Sequence, residues 1–117
     1  MSYLLLIVEP PEQRASRTDA EGQAAYDQML AYAETLKKRG VLRAVESLAH
    51  SRSGARVAVR GGKAQVMDGP FAEAKEMIGG FFLVDVPSRE DALALAADCP
   101  AAAWCTVEVR GLGPCFT

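Results

Sequence analysis

The chain has 117 residues, of which 50% are apolar, and a formal net charge of −2 at pH 7. This length fits one domain with a core of its own and excludes two full-sized domains. The slightly negative charge gives no general attraction to phosphate backbones, so it argues against a nucleic-acid-binding protein.

The first half of the chain predicts a strand, a helix and a second strand. The run YLLLIV is apolar at consecutive positions, which is typical of a strand covered on both faces. Thr18 to Glu21 spells a capping box, and the apolar stripe after it predicts a helix to about Arg39, with Gly40 as its C-cap. The run VLRAVESLA predicts the second strand. The apolar stripe of the helix consists of Ala25, Met29, Tyr32 and Leu36.

The apolar run at the start, from Tyr3 to Val8, is too short for a signal-peptide core or a membrane span, and no basic leader precedes it. We therefore expect a cytoplasmic protein, with no membrane partner and with reduced thiols. The three cysteines, Cys99, Cys105 and Cys115, match no zinc spacing, so we expect structural or incidental roles for them and no metal site.

Two alternating runs around Gly61-Gly62 predict a β-hairpin, because Gly-Gly is a favoured two-residue hairpin loop. This loop pairs Val59 with Ala64 and Val57 with Val66, which makes one side of the hairpin apolar. Two interpretations of the other side stay open: an anion-binding face, or a charged surface that keeps an exposed hairpin soluble and blocks edge pairing. The residues of that side are Arg56, Arg60, Lys63 and Gln65.

The second half predicts another strand, FFLVDV, then a short helix that opens at Ser88 and ends before Pro100, then the strand AWCTVEVR. The order β-α-β, hairpin, β-α-β predicts an α+β fold of the ferredoxin-like type, with both helices on one face of the sheet. A mixed aromatic and charged sheet face is typical of a contact surface, so we expect a homodimer with a cleft near its interface. Alternation along the last strand puts Cys105, Val107 and Val109 towards the helices and Trp104, Thr106, Glu108 and Arg110 on the opposite face.

The stretch Asp68 to Gly80, DGPFAEAKEMIGG, holds a turn signal and a dense group of charges. Its first residues predict a turn between strands or a single helical turn that starts at Pro70. Glu73 and Glu76 would share one face of that turn. A structural and a functional interpretation both stay open, because a capped turn explains the glycines and the proline but not the density of ionisable groups.

The segment DGPFAEAKEMIGGFFLVDV resembles the signature of the DGPF branch of the YCII-related family, and the ends MSYLLLIVEP and TVEVRGL resemble that family's ends. The resemblance covers residues 1–112 as a single domain, followed by a short tail, 113–117. It implies a dimeric α+β barrel of ferredoxin-like subunits, with a cleft lined partly by the segment. Ala74 departs from the pattern, because relatives often have threonine there. The resemblance implies no settled activity, although lyase-type proton transfer by a His–Asp pair is attributed to other members of the wider family.

The candidate catalytic residues are the carboxylates Asp68, Glu73 and Glu76, together with His50, the only histidine. Clustered carboxylates in a partly closed cleft are suited to acid/base chemistry. His50 would join them if its loop converges with that of Asp68, although a surface position is the commoner case for such a histidine. The candidate ligand-binding residues are Gly69, Pro70, Phe71, Lys75, Gly79 and Gly80.

No P-loop or dinucleotide-binding fingerprint is present, so we expect no cofactor. Two functions stay open. The first is a cleft for a small polar molecule, with lyase- or isomerase-type acid/base chemistry. The second is a non-catalytic regulatory module that binds a protein partner, for which the gene neighbourhoods of the DGPF branch imply an extracytoplasmic-function sigma factor.

Overall fold

The computed structural model describes residues 1–116, which fold into six β-strands and two α-helices. Within that range, no helix is both long and apolar enough to cross a membrane. Short 3₁₀-helices lie at Arg14–Ser16, Ser51–Ser53 and Pro100–Ala103. The strands are β1 (Ser2–Glu9), β2 (Leu42–Ser47), β3 (Ala55–Arg60), β4 (Lys63–Asp68), β5 (Met77–Asp85) and β6 (Thr106–Gly111), and the helices are α1 (Asp19–Lys38) and α2 (Arg89–Asp98).

Four of the strands form one antiparallel sheet in the order β2-β5-β1-β6. β1 is a central strand because it pairs with β5 on one side and with β6 on the other. Each helix connects a strand to one that does not lie beside it, so the two crossovers stack both helices on one face of the sheet. This arrangement confirms the predicted ferredoxin-like α+β fold.

The ends of α1 follow from local hydrogen bonds, as the sequence predicts. The Thr18 hydroxyl accepts from the Glu21 N–H at 3.1 Å, and the Glu21 carboxylate accepts from the Thr18 N–H at 2.8 Å. The backbone hydrogen bond from Thr18 holds the pKa of Glu21 below its usual value. At the other end, Gly40 adopts φ 74°, a left-handed conformation that glycine enters without steric cost.

The core lies between the helices and the face of the sheet to which the odd-numbered residues of β1 point. Leu5, Leu36 and Val84 are the largest fully buried side chains. Tyr32 of α1 contacts Phe82 edge to face, with ring centroids 5.1 Å apart, and its hydroxyl donates to the Leu95 carbonyl at 2.5 Å. Burial raises the pKa of the Tyr32 hydroxyl, so this donor stays protonated at neutral pH.

Trp104 does not lie on the outer face of the sheet, so that part of the predicted alternation is wrong. The chain turns through Pro100–Ala103 and β6 begins only at Thr106, so Trp104 precedes the alternating run and packs against the core on the helix side. From Thr106 onward the predicted alternation is confirmed. Thr106, Glu108 and Arg110 are exposed and pair with Val8, Leu6 and Leu4 of β1, respectively.

β3 and β4 form a separate two-stranded hairpin with the predicted register, in which Val57 pairs with Val66 and Val59 with Ala64. The apolar side of this hairpin is uncovered: Val57, Val59 and Val66 are each at least 60% exposed. An isolated two-stranded hairpin is only marginally stable in water, and packing against a further layer is what stabilises one. The Cα atoms accordingly span a flat shape of 47 × 42 × 19 Å.

Candidate functional site

A cavity of about 440 Å³ lies between the first half of α1 and the β2–β5 side of the sheet. Its walls are mostly apolar. At its mouth, Tyr26, Leu30, Val45 and Leu48 are each more than a third exposed, so the cavity opens to solvent. Residues from both layers line it, among them Ile7, Ala25, Met29, Ala33, Ser47 and Phe82.

A buried ion pair forms one end of this cavity. Glu9, the last residue of β1, is only 5% exposed. The 3₁₀-helix that follows brings Arg14 back to it, so that Glu9 Oε1 lies 2.5 Å from Arg14 Nη2 and accepts from Arg14 Nε at 2.9 Å. Because the Glu9 carboxylate has left water, it depends on the guanidinium of the partly exposed Arg14 for its stabilisation.

The stretch Asp68 to Gly80 is called the DGPF segment below. Its glycine pair, Gly79-Gly80, makes room for polar atoms at the end of the cavity where the ion pair lies. A Cβ on Gly79 would lie 2.9 Å from Glu9 Cδ and 3.0 Å from Arg14 Nη2. A Cβ on Gly80 would lie 2.8 Å from the Glu46 carbonyl oxygen. The register of β1 and β5 shifts at this point, so Gly79 sits in a β-bulge. Both glycines line the cavity.

Arg17 and Trp104 complete the polar end. The guanidinium carbon of Arg17 lies 5.6 Å from the centroid of the Trp104 ring, and both residues line the cavity. The Gln13 side-chain amide donates to the Trp104 carbonyl at 2.6 Å, which ties the loop before α1 to the turn before β6. Burial, followed by the nearby Glu9 carboxylate, raises the pKa of the adjacent Cys105 thiol.

The first half of the DGPF segment contacts the residues at the base of the β3–β4 hairpin. Gly69 donates its N–H to the Gly54 carbonyl at 2.9 Å, and a Cβ there would lie 2.8 Å from the Arg52 carbonyl oxygen. The guanidinium carbon of Arg56 stands 3.9 Å from the centroid of the Phe71 ring. The chain then turns, with the Ala74 N–H donating to the Phe71 carbonyl at 3.0 Å. Of the two alternatives predicted at Pro70, the turn is therefore confirmed and the single helical turn is wrong.

The predicted catalytic carboxylates lie elsewhere on the surface. Asp68, Glu73 and Glu76 are exposed, as is Lys75. Among residues 1–116, the lining of the cavity includes none of these four side chains, nor Gly69, Pro70, Phe71 or His50. The structure therefore brings Gly79 and Gly80 to the cavity but leaves the charged part of the segment outside it.

His50 has a structural role in the turn before the hairpin. Its Nδ1 accepts from the Arg52 N–H at 2.9 Å, which makes it a cap for the 3₁₀-helix. Its Nε2 lies 2.6 Å from the Pro11 carbonyl oxygen, so the neutral tautomer with its proton on Nε2 satisfies both contacts. Asp68 is not a hydrogen-bond partner of this ring among the described residues.

Sequence reasoning missed the four residues at the polar end of the cavity: Glu9, Arg14, Arg17 and Trp104. The sequence did contain a signal for the first three. An acidic residue directly follows the apolar run of β1, and two arginines lie in the short loop after it. In the part of the chain that the structure describes, no group of three or more His, Cys, Asp or Glu side chains converges in a way that suits a metal ion.

Two comparisons relate this chain to known proteins. The model of the YCII-related domain family matches residues 1–114, a range that includes all the strands and helices described above. An uncharacterised protein of Rhizobium meliloti (strain 1021) is 31% identical over 98 residues, which cover 84% of this chain and 79% of that protein.

Proposed function

Since this chain belongs to the YCII-related family, we propose that it is a small-molecule-binding protein whose ligand occupies the cavity between α1 and the sheet. The matched relative is itself uncharacterised, so the proposal depends on the site and not on a transferred activity. The observation that supports this proposal is the cavity itself. Its volume of about 440 Å³ lies within the range of ligand sites, and apolar walls with a few convergent polar groups are their usual composition.

The geometry favours a ligand with a larger apolar part than the small polar molecule expected from the sequence. Glu9 is the carboxylate that the described cavity offers, and it is already paired with Arg14. We therefore propose binding as the primary activity. Lyase- or isomerase-type chemistry by Asp68, Glu73, Glu76 and His50 stays a prediction from the sequence, as do the DGPF branch, the cytoplasmic location and a sigma-factor partner.

A matched pair of variants tests whether ligands bind in this cavity. Ala25 lines it, whereas Ala24, the preceding residue of α1, is exposed and does not. Ala25→Phe should fill the cavity, and Ala24→Phe should leave it open. Trp104 is the only tryptophan of the chain and lines the cavity, so its fluorescence reports binding directly. Ligands from a screen should lose affinity for Ala25→Phe alone; equal loss or no loss in both variants would reject the cavity as the site.

We also propose a homodimer, in which a second copy covers the apolar side of the hairpin and the outer face of the sheet. The chain exposes 7801 Å², whereas a compact monomer of its mass exposes about 6,200 Å². The excess exceeds the roughly 800 Å² that each partner buries in a standard interface. The outer face of the sheet supplies further apolar side chains that are only partly covered: Leu4, Leu6, Phe81 and Leu83.

Two double variants test the dimer, because the hairpin offers cross-strand pairs on both of its sides. Val57 pairs with Val66 on the apolar side, and Ala58 pairs with Gln65 on the other. Light scattering after gel filtration should give twice the monomer mass of 12.5 kDa for the wild type. Val57→Lys with Val66→Lys should give monomers, and Ala58→Lys with Gln65→Lys should remain dimeric. A monomeric wild type at high concentration would end this proposal and leave a different protein as the partner of the hairpin.

A further inference from the structure

We propose that the ligand of this cavity is a singly charged organic carboxylate with an apolar body, and that Arg17 binds its carboxylate. This inference rests on the function proposed above and adds the chemical class of the ligand. It follows from the charge balance at the polar end of the cavity and from the composition of the remaining walls.

The polar end holds one ion pair and one further cation. Arg14 is neutralised by Glu9. Arg17 forms no ion pair within 4 Å among residues 1–116, and its guanidinium lies against the Trp104 ring instead. A cation–π contact with an aromatic face uses none of the N–H donors of a guanidinium, so those of Arg17 stay available to an anion.

The nearby carboxylates do not compensate for this charge. Glu21 feels the charge of Arg17, but its carboxylate accepts from the Thr18 N–H in the capping box. Glu46 of β2 is also among the residues that line the cavity. Its side chain lies on the outer face of the sheet, however, because it pairs with Phe81, whose side chain lies on that face. The first turn of α1 also carries Asp19, which forms no ion pair with Arg17 within 4 Å but offsets the partial positive charge of the helix N-terminus.

The rest of the cavity specifies an apolar body. Met29, Leu30 and Ala33 of α1 face Val45 and Phe82 of the sheet, and these side chains offer no charged group to a ligand. A guanidinium fork matches the geometry of a carboxylate and forms two parallel hydrogen bonds with it. A single uncompensated cation suits a monoanion better than a dianion such as a phosphate monoester.

The experiment compares three probes that have eight carbons each and differ in their head group: octanoate, 1-octanol and octylamine. Binding is followed by Trp104 fluorescence and by calorimetry, in the wild type and in Arg17→Gln and Arg17→Lys. We expect octanoate to bind the wild type about ten-fold or more tightly than octanol, the factor that one charge-assisted contact supplies. Arg17→Gln should abolish that preference by weakening octanoate much more than octanol, and Arg17→Lys should retain part of it.

The outcomes separate this inference from the function on which it rests. If octanol and octanoate bind equally in the wild type, and Ala25→Phe weakens both, the cavity stands and the carboxylate assignment fails. If none of the probes binds, both fail for this class of ligand. Because Arg17 is partly exposed and lies outside the core cluster, its variants should keep the unfolding midpoint in urea close to that of the wild type. A preference for octanoate that survives in Arg17→Gln would also overturn the assignment.

Discussion

Gly79 leaves the space that the Glu9 carboxylate occupies, although the two residues stand on different strands. Gly79 lies in the bulge of β5, and Glu9 is the last residue of β1. Any side chain at position 79 would enter the buried ion pair between Glu9 and Arg14. The second half of the DGPF segment is therefore coupled to a salt bridge that lies far from it in the sequence.

Gly79→Ala should destabilise the protein by about 2 kcal/mol, because its Cβ would overpack a buried, fixed side chain. Urea unfolding monitored by circular dichroism measures this loss. Gly113→Ala is the matched control, since a Cβ there meets nothing within 4 Å. Equal midpoints for the wild type and Gly79→Ala would show that the carboxylate moves aside without cost.

Arg14→Met should cost about 3 kcal/mol, because it leaves the Glu9 carboxylate buried without its partner. Removing the second charge as well, in Glu9→Gln with Arg14→Met, should recover part of that loss. The two free energies of unfolding are compared at pH 7. A double variant that is less stable than Arg14→Met alone would contradict this account of the pair.

His50 variants separate a structural role from a catalytic one. His50→Ala should lose about 1–2 kcal/mol of stability, because the contacts to Pro11 and Arg52 are both removed. His50→Asn should lose less, since asparagine is a good helix cap and can still accept from the Arg52 N–H. Neither variant should change ligand affinity. Full stability combined with lost binding or activity would instead favour the catalytic role predicted from the sequence.

Asp85 should make stability depend on acid pH. A hydrogen bond from the Met1 ammonium, then its charge, and then Arg43 hold the pKa of this carboxyl below its ordinary value of 3.8. A carboxyl with a depressed pKa in the folded state contributes stability above its unfolded-state pKa, and that contribution is lost as the pH falls through the folded-state value. Asp85→Asn should therefore be less stable than the wild type between pH 5 and 7.

The difference between Asp85→Asn and the wild type should shrink below about pH 4, where Asp85 of the unfolded wild-type chain begins to protonate while the folded carboxyl is still charged. It should also shrink in 1 M salt, because all three groups are substantially exposed and their interaction is screened. Glu12→Gln serves as a control at another exposed acid. A difference that stays constant from pH 7 to pH 2 would show that charge is not its cause.

The elements of the fold were predictable because their signals are local. Thr18 and Glu21 lie within one turn of each other, and Gly61-Gly62 sets the register of its own hairpin without help from the rest of the chain. Trp104 was misplaced because a 3₁₀-helix shifts the start of β6 past it. Alternation of apolar and polar residues predicts the two faces only within a strand, and the sequence pattern does not show at which residue the strand begins.

The polar end of the cavity was not predictable for a different reason. Glu9 comes from the end of β1, Arg17 from the loop before α1 and Trp104 from the turn before β6. The first two are close in the sequence, but only the pairing of β1 with β6 brings Trp104 to them. The dense charges of Asp68 to Glu76 attracted attention in the sequence, yet the contacts around them anchor a hairpin: Gly69 against the Ser51–Ser53 turn and Phe71 beneath Arg56.

The position of the hairpin in the connectivity has one more consequence. β2 and β5 are direct antiparallel neighbours, so Ser47 and Met77 could be joined by a tight reversal, and residues 48–76 form an insertion between them. Such an insertion can lengthen, shorten or change its surface without rethreading the sheet. Leu48 is the one residue of this insertion that lines the cavity. Under the functions proposed above, the ligand of the cavity and the partner of the hairpin can therefore change almost independently among relatives that share this scaffold.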